Sequence, residues 1–348
     1  METTLEKSTR VVRQRVVFPR RDVLALWLGI AFSAAFTSLI WLTGDALKVF
    51  PHLPQSHDPS WYFWKLPAPS LPAEITAWSL YSMHQVASWG LILYAQTRVK
   101  KYTTGLHPVN VVALGVNALF IILHFIQTHI WYDALAQNVS VFSSQGSVIV
   151  LLVWVLLMEN NRRGLFFGQK MPISQCILQF ARKYHGYYFS WAIIYTFWYH
   201  PMENTAGHLV GFFYMFLLLL QSSLFFTRVH INKYWTFTQE ILVLAHGTMV
   251  AIVNGNNLWP MFFFGFGGIF VITQMHGLSL KSWAKWAFLA LYVGGVVFVY
   301  SGRGVSHLWE LSAIPLIDYL AVIVLALLIG LIVRVTGWRR PALKAATN

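Results

Sequence analysis

Ten stretches of about twenty mainly apolar residues punctuate the chain, each long enough to cross a hydrocarbon core of roughly 30 Å as a helix. They cover residues 23–42, 78–96, 109–132, 139–158, 179–199, 209–227, 237–254, 261–280, 283–301 and 316–333. The pattern predicts an all-α fold, a polytopic membrane helix bundle of about ten transmembrane helices. Composition agrees, because charged residues make up only 11% of the chain and apolar ones 57%, whereas a soluble domain carries about a quarter charged. A water-soluble enzyme, a disulfide scaffold and a disordered tail are excluded. Cys176 is the only cysteine, so one chain forms neither an internal disulfide nor a cysteine metal cluster. The fourth and fifth stretches have the least sharp boundaries, since one opens with Ser140, Ser143, Ser144 and Gln145 and the other holds Arg182, Lys183 and His185 in its first turns.

Basic residues test the number of crossings independently, because only a correct number sorts them onto alternate loops. Of 25 Lys and Arg, 22 fall on one side and only Lys48, Lys65 and Arg303 on the other. An even number of crossings then places both termini in the cytoplasm. This divides the chain into a basic cytoplasmic segment at 1–22, a single membrane domain at 23–335 with an outer loop at 43–77, and a cytoplasmic tail at 336–348. The net charge of +13 belongs to this topology and to contact with anionic lipid, not to nucleic acid. The first apolar stretch lacks a small-residue cleavage site and is expected to stay as a helix. The expected location is the cell membrane, as a multi-pass protein of a bacterial inner membrane.

The longest loop, 43–77, is rich in proline and too short for a soluble domain. Its Trp61, Tyr62, Phe63 and Trp64 read as an interfacial aromatic belt or as a lid over an outward-facing site. Walker A loops, dinucleotide fingerprints and serine elbows are missing from the sequence. Gly265, Gly267 and Gly268 lie within a span, where close helix packing explains them.

Histidine is the unusual feature, with 13 against 12 acids. From the span midpoints, His84 and His124 lie about 5–6 Å outward of centre and His246 within about 2 Å of it. A second tier occupies the outer rim: His129, Asp133, His200, Glu203, Asn204 and His208. His129 and Asp133, four residues apart, share a helix face, and Pro201 imposes a turn that would gather His200, Glu203 and His208. A third tier, His185, Glu159, His230, Glu240 and His276, lies inward. Taken singly, each buried imidazole reads as a packing residue. Coincidence in depth argues for more, because His84 and His124 on consecutive helices stand where the axial ligands of a b-type haem, or two ligands of a buried metal, must be. No acid or base falls near a span centre, which weighs against a cation-coupled transporter.

The leading expectation is an integral-membrane oxidoreductase that uses histidine-bound iron, copper or haem on a lipid-soluble substrate, with an electron donor or partner membrane protein. His84, His124 and His246 would bind the cofactor. A metal would draw on His84, His124, His129, His200 and His208, and Glu203, His208 and Asp133 would handle protons. Two other classes compete: a metal-free lipid-modifying transferase with His208 or His276 as general base, and a permease or accessory membrane subunit without catalysis.

Overall fold

A computed structural model describes residues 20–54, 56, 62, 64–68, 70–132, 135–253, 255 and 257–338. Within them the chain forms ten α-helices: α1 (Arg21–Thr43), α2 (Leu71–Arg98), α3 (Pro108–Trp131), α4 (Val141–Arg163), α5 (Gln175–Tyr199), α6 (Ala206–Ser223), α7 (Lys233–Val253), α8 (Trp259–Ile272), α9 (Ser282–Arg303) and α10 (Glu310–Thr336). No strand occurs among the described residues. Seven helices, α1, α3, α4, α6, α7, α9 and α10, are long and apolar enough to cross a membrane.

The other three differ for physical reasons. α2 and α5 pack on each other and turn polar groups such as His84, Gln85 and Ser190 inward; these, together with exposed Arg98, Arg182 and Lys183 toward the helix ends, lower their mean hydropathy. α8 has 14 residues and reaches only about 21 Å. The span expected to run to residue 280 stops at Ile272, whose carbonyl is taken by the Phe167 N–H at 2.7 Å, and a 3-10 turn over Gln274–Gly277 follows.

Helix starts are set by local chemistry. Ser70, Ser140, Ser174 and Thr205 each accept a backbone N–H of the first turn, which satisfies a donor that has no helical partner. α3 begins with Pro108 after a reciprocal cap between His107 and Asn110.

Two apolar cores hold the bundle. One gathers Phe36 of α1, Phe120 of α3, Phe197 and Trp198 of α5, and Phe212 and Phe216 of α6. The other joins Leu152 and Leu156 of α4, Leu178 of α5, Ile269 of α8 and Val322 of α10. α9 leans on α8 at the periphery. Outward faces stay apolar, with Phe298 82% and Val335 77% exposed, as suits a lipid solvent.

Loop contacts sort the two ends. At the basic end, Thr104 accepts from Asp22 N–H, Thr103 exchanges backbone bonds with the 226–228 turn, and Thr273 Oγ1 bonds the Leu165 carbonyl. At the other end, Trp78 Nε1–H donates to Asn138, Tyr62 Oη–H to the Ala136 carbonyl, and Arg303 to Asn257.

One sequence expectation is corrected here. Glu240, 7% exposed, lies only about 4–5 Å from the middle of α7, because the helix begins at Lys233, earlier than the apolar run suggests. Asp318, 3% exposed and about 7–8 Å from the middle of α10, keeps Oδ2 without a hydrogen-bond partner among the described residues. The bundle interior is therefore not free of carboxyl groups, and the argument against cation coupling loses its footing.

Candidate functional site

Among the histidines toward the outer end, His84 has a hydrogen-bond partner on each ring nitrogen. His84 of α2 accepts the Trp198 Nε1–H on Nδ1 at 3.3 Å and meets Asn117 Oδ1 with Nε2 at 2.8 Å. The indole can only donate, so the imidazole proton sits on Nε2 and is given to Asn117. Asn117 passes the chain on through Nδ2 to Ser223 Oγ at 2.7 Å and the Leu219 carbonyl at 3.2 Å. Phe120 stacks on the His84 ring at 4.3 Å. Side chains of α2, α3, α5 and α6 are thereby tied into one buried polar line.

His124 of α3 lies on the other side of the same indole, stacked on Trp198 at 4.3 Å and edged by Phe197 at 4.6 Å. It is fully buried, and neither ring nitrogen has a hydrogen-bond partner among the described residues. His84 and His124 do share a depth and a neighbour, as their spacing implied. A haem held between them does not fit, because both nitrogens of His84 are already bonded and Trp198 lies against both rings.

Around Pro201 the structure brings two of the rim histidines together. The rings of His200 and His208 are 5.7 Å apart, and Trp64 from the long loop stands over both, at 5.1 and 4.8 Å. His208 Nδ1 lies 2.9 Å from Thr205 Oγ1, the cap of α6. His246 of α7 packs against Gly211, one turn along α6 from His208, where a Cβ would come within 2.9 Å of its Cε1. His200 and His129 each donate Nδ1–H to the carbonyl four residues earlier, at 2.9 Å. Asp133 lies outside the described residues.

Glu203 is 6% exposed, with Oε1 3.8 Å from His52 Nε2. His52 stacks on Tyr132 at 5.1 Å, and its Nε2 is 3.2 Å from the Tyr132 hydroxyl. Sequence reasoning missed both His52 and Tyr132. The available signal was Pro51 and Pro54 flanking His52, which stiffen the loop around it. Tyr62 and Trp64 pack inward on Tyr199, 6.0 and 6.3 Å away, so these two rings are not part of a lipid-facing belt. Trp61 and Phe63 lie outside the described residues. Gly44 anchors the loop to the rim, since a Cβ there would overlap Asn204. Gly44→Ala is expected to destabilise the protein by about 1–3 kcal/mol, read as a lowered midpoint of thermal unfolding in detergent.

The inward tier is engaged in structure. Glu159 pairs with Arg162, Glu240 with Arg163 at 2.7 Å, and His185 Nδ1 with the Arg182 carbonyl. His276 lies 3.5 Å from where a Cβ on Gly168 would stand, away from the rim. His230, in the turn between α6 and α7, gives Nδ1–H to the Gln221 carbonyl at 3.0 Å. Burial, reinforced by His185 beside it, pushes its imidazole down to about 4. The neutral form is the native one, so its stability contribution is complete above the free value of 6.5 and is lost as pH falls toward 4. The drop in unfolding midpoint between pH 7.5 and 4.5 should be smaller in His230→Gln than in the parent.

No group of three or more His, Cys, Asp or Glu side chains converges at metal-binding geometry among the described residues. Fold and site together define a helical membrane bundle with a carboxylate and several imidazoles enclosed at one end. Neither a family model, nor a curated protein, nor a solved structure matches the chain.

Proposed function

We propose that this chain is an integral-membrane enzyme performing acid–base group transfer on a lipid-soluble substrate at its histidine-rich end. The carrying observation is the burial of two titratable groups close in the chain at one end of the bundle: His208, 8% exposed and covered by Trp64, and Glu203, 6% exposed and 3.8 Å from His52. His208, oriented through Nδ1 by Thr205, serves as general base. Glu203, beside His52, handles the second proton. Trp64 and Tyr62 form the apolar cover that accepts a hydrophobic substrate and excludes water. The chain crosses a bacterial inner membrane about ten times with both termini in the cytoplasm, α8 together with the 3-10 turn after it making one of the crossings; the 22-to-3 division of basic residues and the sorting of loops to two ends support this.

The test compares the lipid and isoprenoid extracts of cells expressing the parent, Glu203→Gln or His208→Asn at equal levels of folded protein. The parent should change the profile and both variants should match cells without the protein. Variants indistinguishable from the parent would overturn the assignment.

A second reading, a metal-dependent oxidoreductase, is favoured by His200 and His129. Their Nδ1–H groups rest on main-chain carbonyls, the orientation usual for imidazoles that bind metal through Nε2. Iron or copper held by such imidazoles would supply redox chemistry toward a membrane electron donor, but no three of them converge among the described residues, so this reading stands second. Stoichiometric metal in purified parent protein, lost in His200→Ala, would favour this reading over the first.

A further inference from the structure

At the basic end, a cavity of about 390 Å³ opens where α2 ends and α3 begins, lined by Arg98, Lys100, Lys101, His107, Tyr94 and Val109 among others. Its walls are built. Asn110 of α3 donates through Nδ2 to the carbonyls of Ser223 and Phe225 at 2.9 and 2.8 Å, which pins the start of α3 to the end of α6. Thr103 exchanges backbone bonds with the 226–228 turn. His107 is held by the Lys101 carbonyl at 3.2 Å and by the cap with Asn110. Three cations thus line one concavity, with no acid among the described residues of its lining. Asp22, which bonds Thr104 of the same loop, is already paired with Arg20 at 2.8 Å.

Three like charges around a fixed cavity repel one another unless an anion joins them. The flank decides which anion. Leu93 and Tyr94 of α2 and Val111 and Val112 of α3 are 53–57% exposed, and Tyr94 and Val109 themselves line the cavity, so apolar surface lies at its edge on both helices. A ligand with a phosphate at one end and acyl chains at the other satisfies both parts, and basic pockets between transmembrane helices suit such head groups. We propose that this cavity is a binding site for one anionic phospholipid, its phosphodiester held by Arg98, Lys100 and Lys101 and its chains lying along α2 and α3.

Native mass spectrometry of the detergent-purified full chain, titrated with phosphatidylglycerol or phosphatidylcholine, tests the site. Phosphatidylglycerol should bind about tenfold or more tightly than phosphatidylcholine, and Arg98→Glu/Lys101→Glu should remove that preference. Lys281→Glu/Lys285→Glu, at the same end but outside the cavity, should leave it within about twofold. Should the first variant fail to fold, Lys100→Gln/Lys101→Gln, confined to two exposed side chains, should still reduce the preference severalfold. Equal losses in the cavity and control variants would reduce the effect to general surface charge and overturn the site. Displacement of the bound lipid by millimolar inorganic phosphate would likewise overturn it, by showing a soluble-anion site.

Discussion

Asn117→Ala is expected to cost about 2–3 kcal/mol of stability, because it leaves the Nε2–H of His84 buried without an acceptor. His84 is fully buried, sealed by Phe120 on its face and by Trp198 on Nδ1. Hydrogen bonds between membrane helices average only about 0.6 kcal/mol, since the separated helices find other partners. Here the orphaned group has no alternative inside the native fold, so the larger figure applies. A graded series separates the links. Ser223→Ala should cost under about 1 kcal/mol, because Asn117 keeps the Leu219 carbonyl as an acceptor. His84→Phe orphans both the Trp198 N–H and Asn117 Oδ1 and should cost at least as much as Asn117→Ala. The double variant His84→Phe/Asn117→Leu should fall well short of the sum of its singles, by coupling through the shared bond. Chemical or thermal unfolding in one detergent reads all of these.

Breaking the ion pair at the other end carries the largest expected effect. Arg163 and Glu240 have side chains 1% and 6% exposed and meet at 2.7 Å. Removing one partner from such a pair leaves a buried charge uncompensated, which costs about 3–5 kcal/mol. Glu240→Leu should be the worse single change, because Arg163 Nε and Nη2 already have no hydrogen-bond partner among the described residues. Without Glu240 the guanidinium keeps no acidic partner. Arg163→Met/Glu240→Leu should recover most of the loss, since an apolar pair of similar volume avoids desolvation altogether. A double variant as unstable as Glu240→Leu alone would show that the guanidinium is needed for something besides this pair.

Hydropathy located every helix but misjudged several ends, and charge explains the direction of the error. An apolar window closes at the first ionic residue, whereas a helix continues when that residue finds a partner. α4 runs past the expected 158 to Arg163 because Arg162 and Arg163 find Glu159, the Gly277 carbonyl and Glu240. The same closure hid the depth of Glu240. α8 erred the other way: the run to residue 280 is apolar enough, but a turn 105 residues earlier in the chain, at Phe167, takes its last carbonyl, and no local pattern announces that. The approach of His200 and His208 across the turn at Pro201 was legible because the turn is local, whereas the His52 beside Glu203 lies about 150 residues away in the chain and was not. The role of His84 was not, since its two partners stand 33 and 114 residues away. Depth places a ring at a level in the bundle, but only the partners on its nitrogens show that the His84 ring serves the fold.

The proposed division of labour, with chemistry at His208 and a structural role for the His84 line, is tested most directly by product formed per folded molecule. In matched samples, His208→Asn should keep the parent's unfolding midpoint and lose nearly all turnover. Asn117→Ala should lower the midpoint and keep the parent's turnover per folded molecule. The reverse result, with turnover surviving in His208→Asn and vanishing in folded Asn117→Ala, would move the chemistry from the rim to the His84 line.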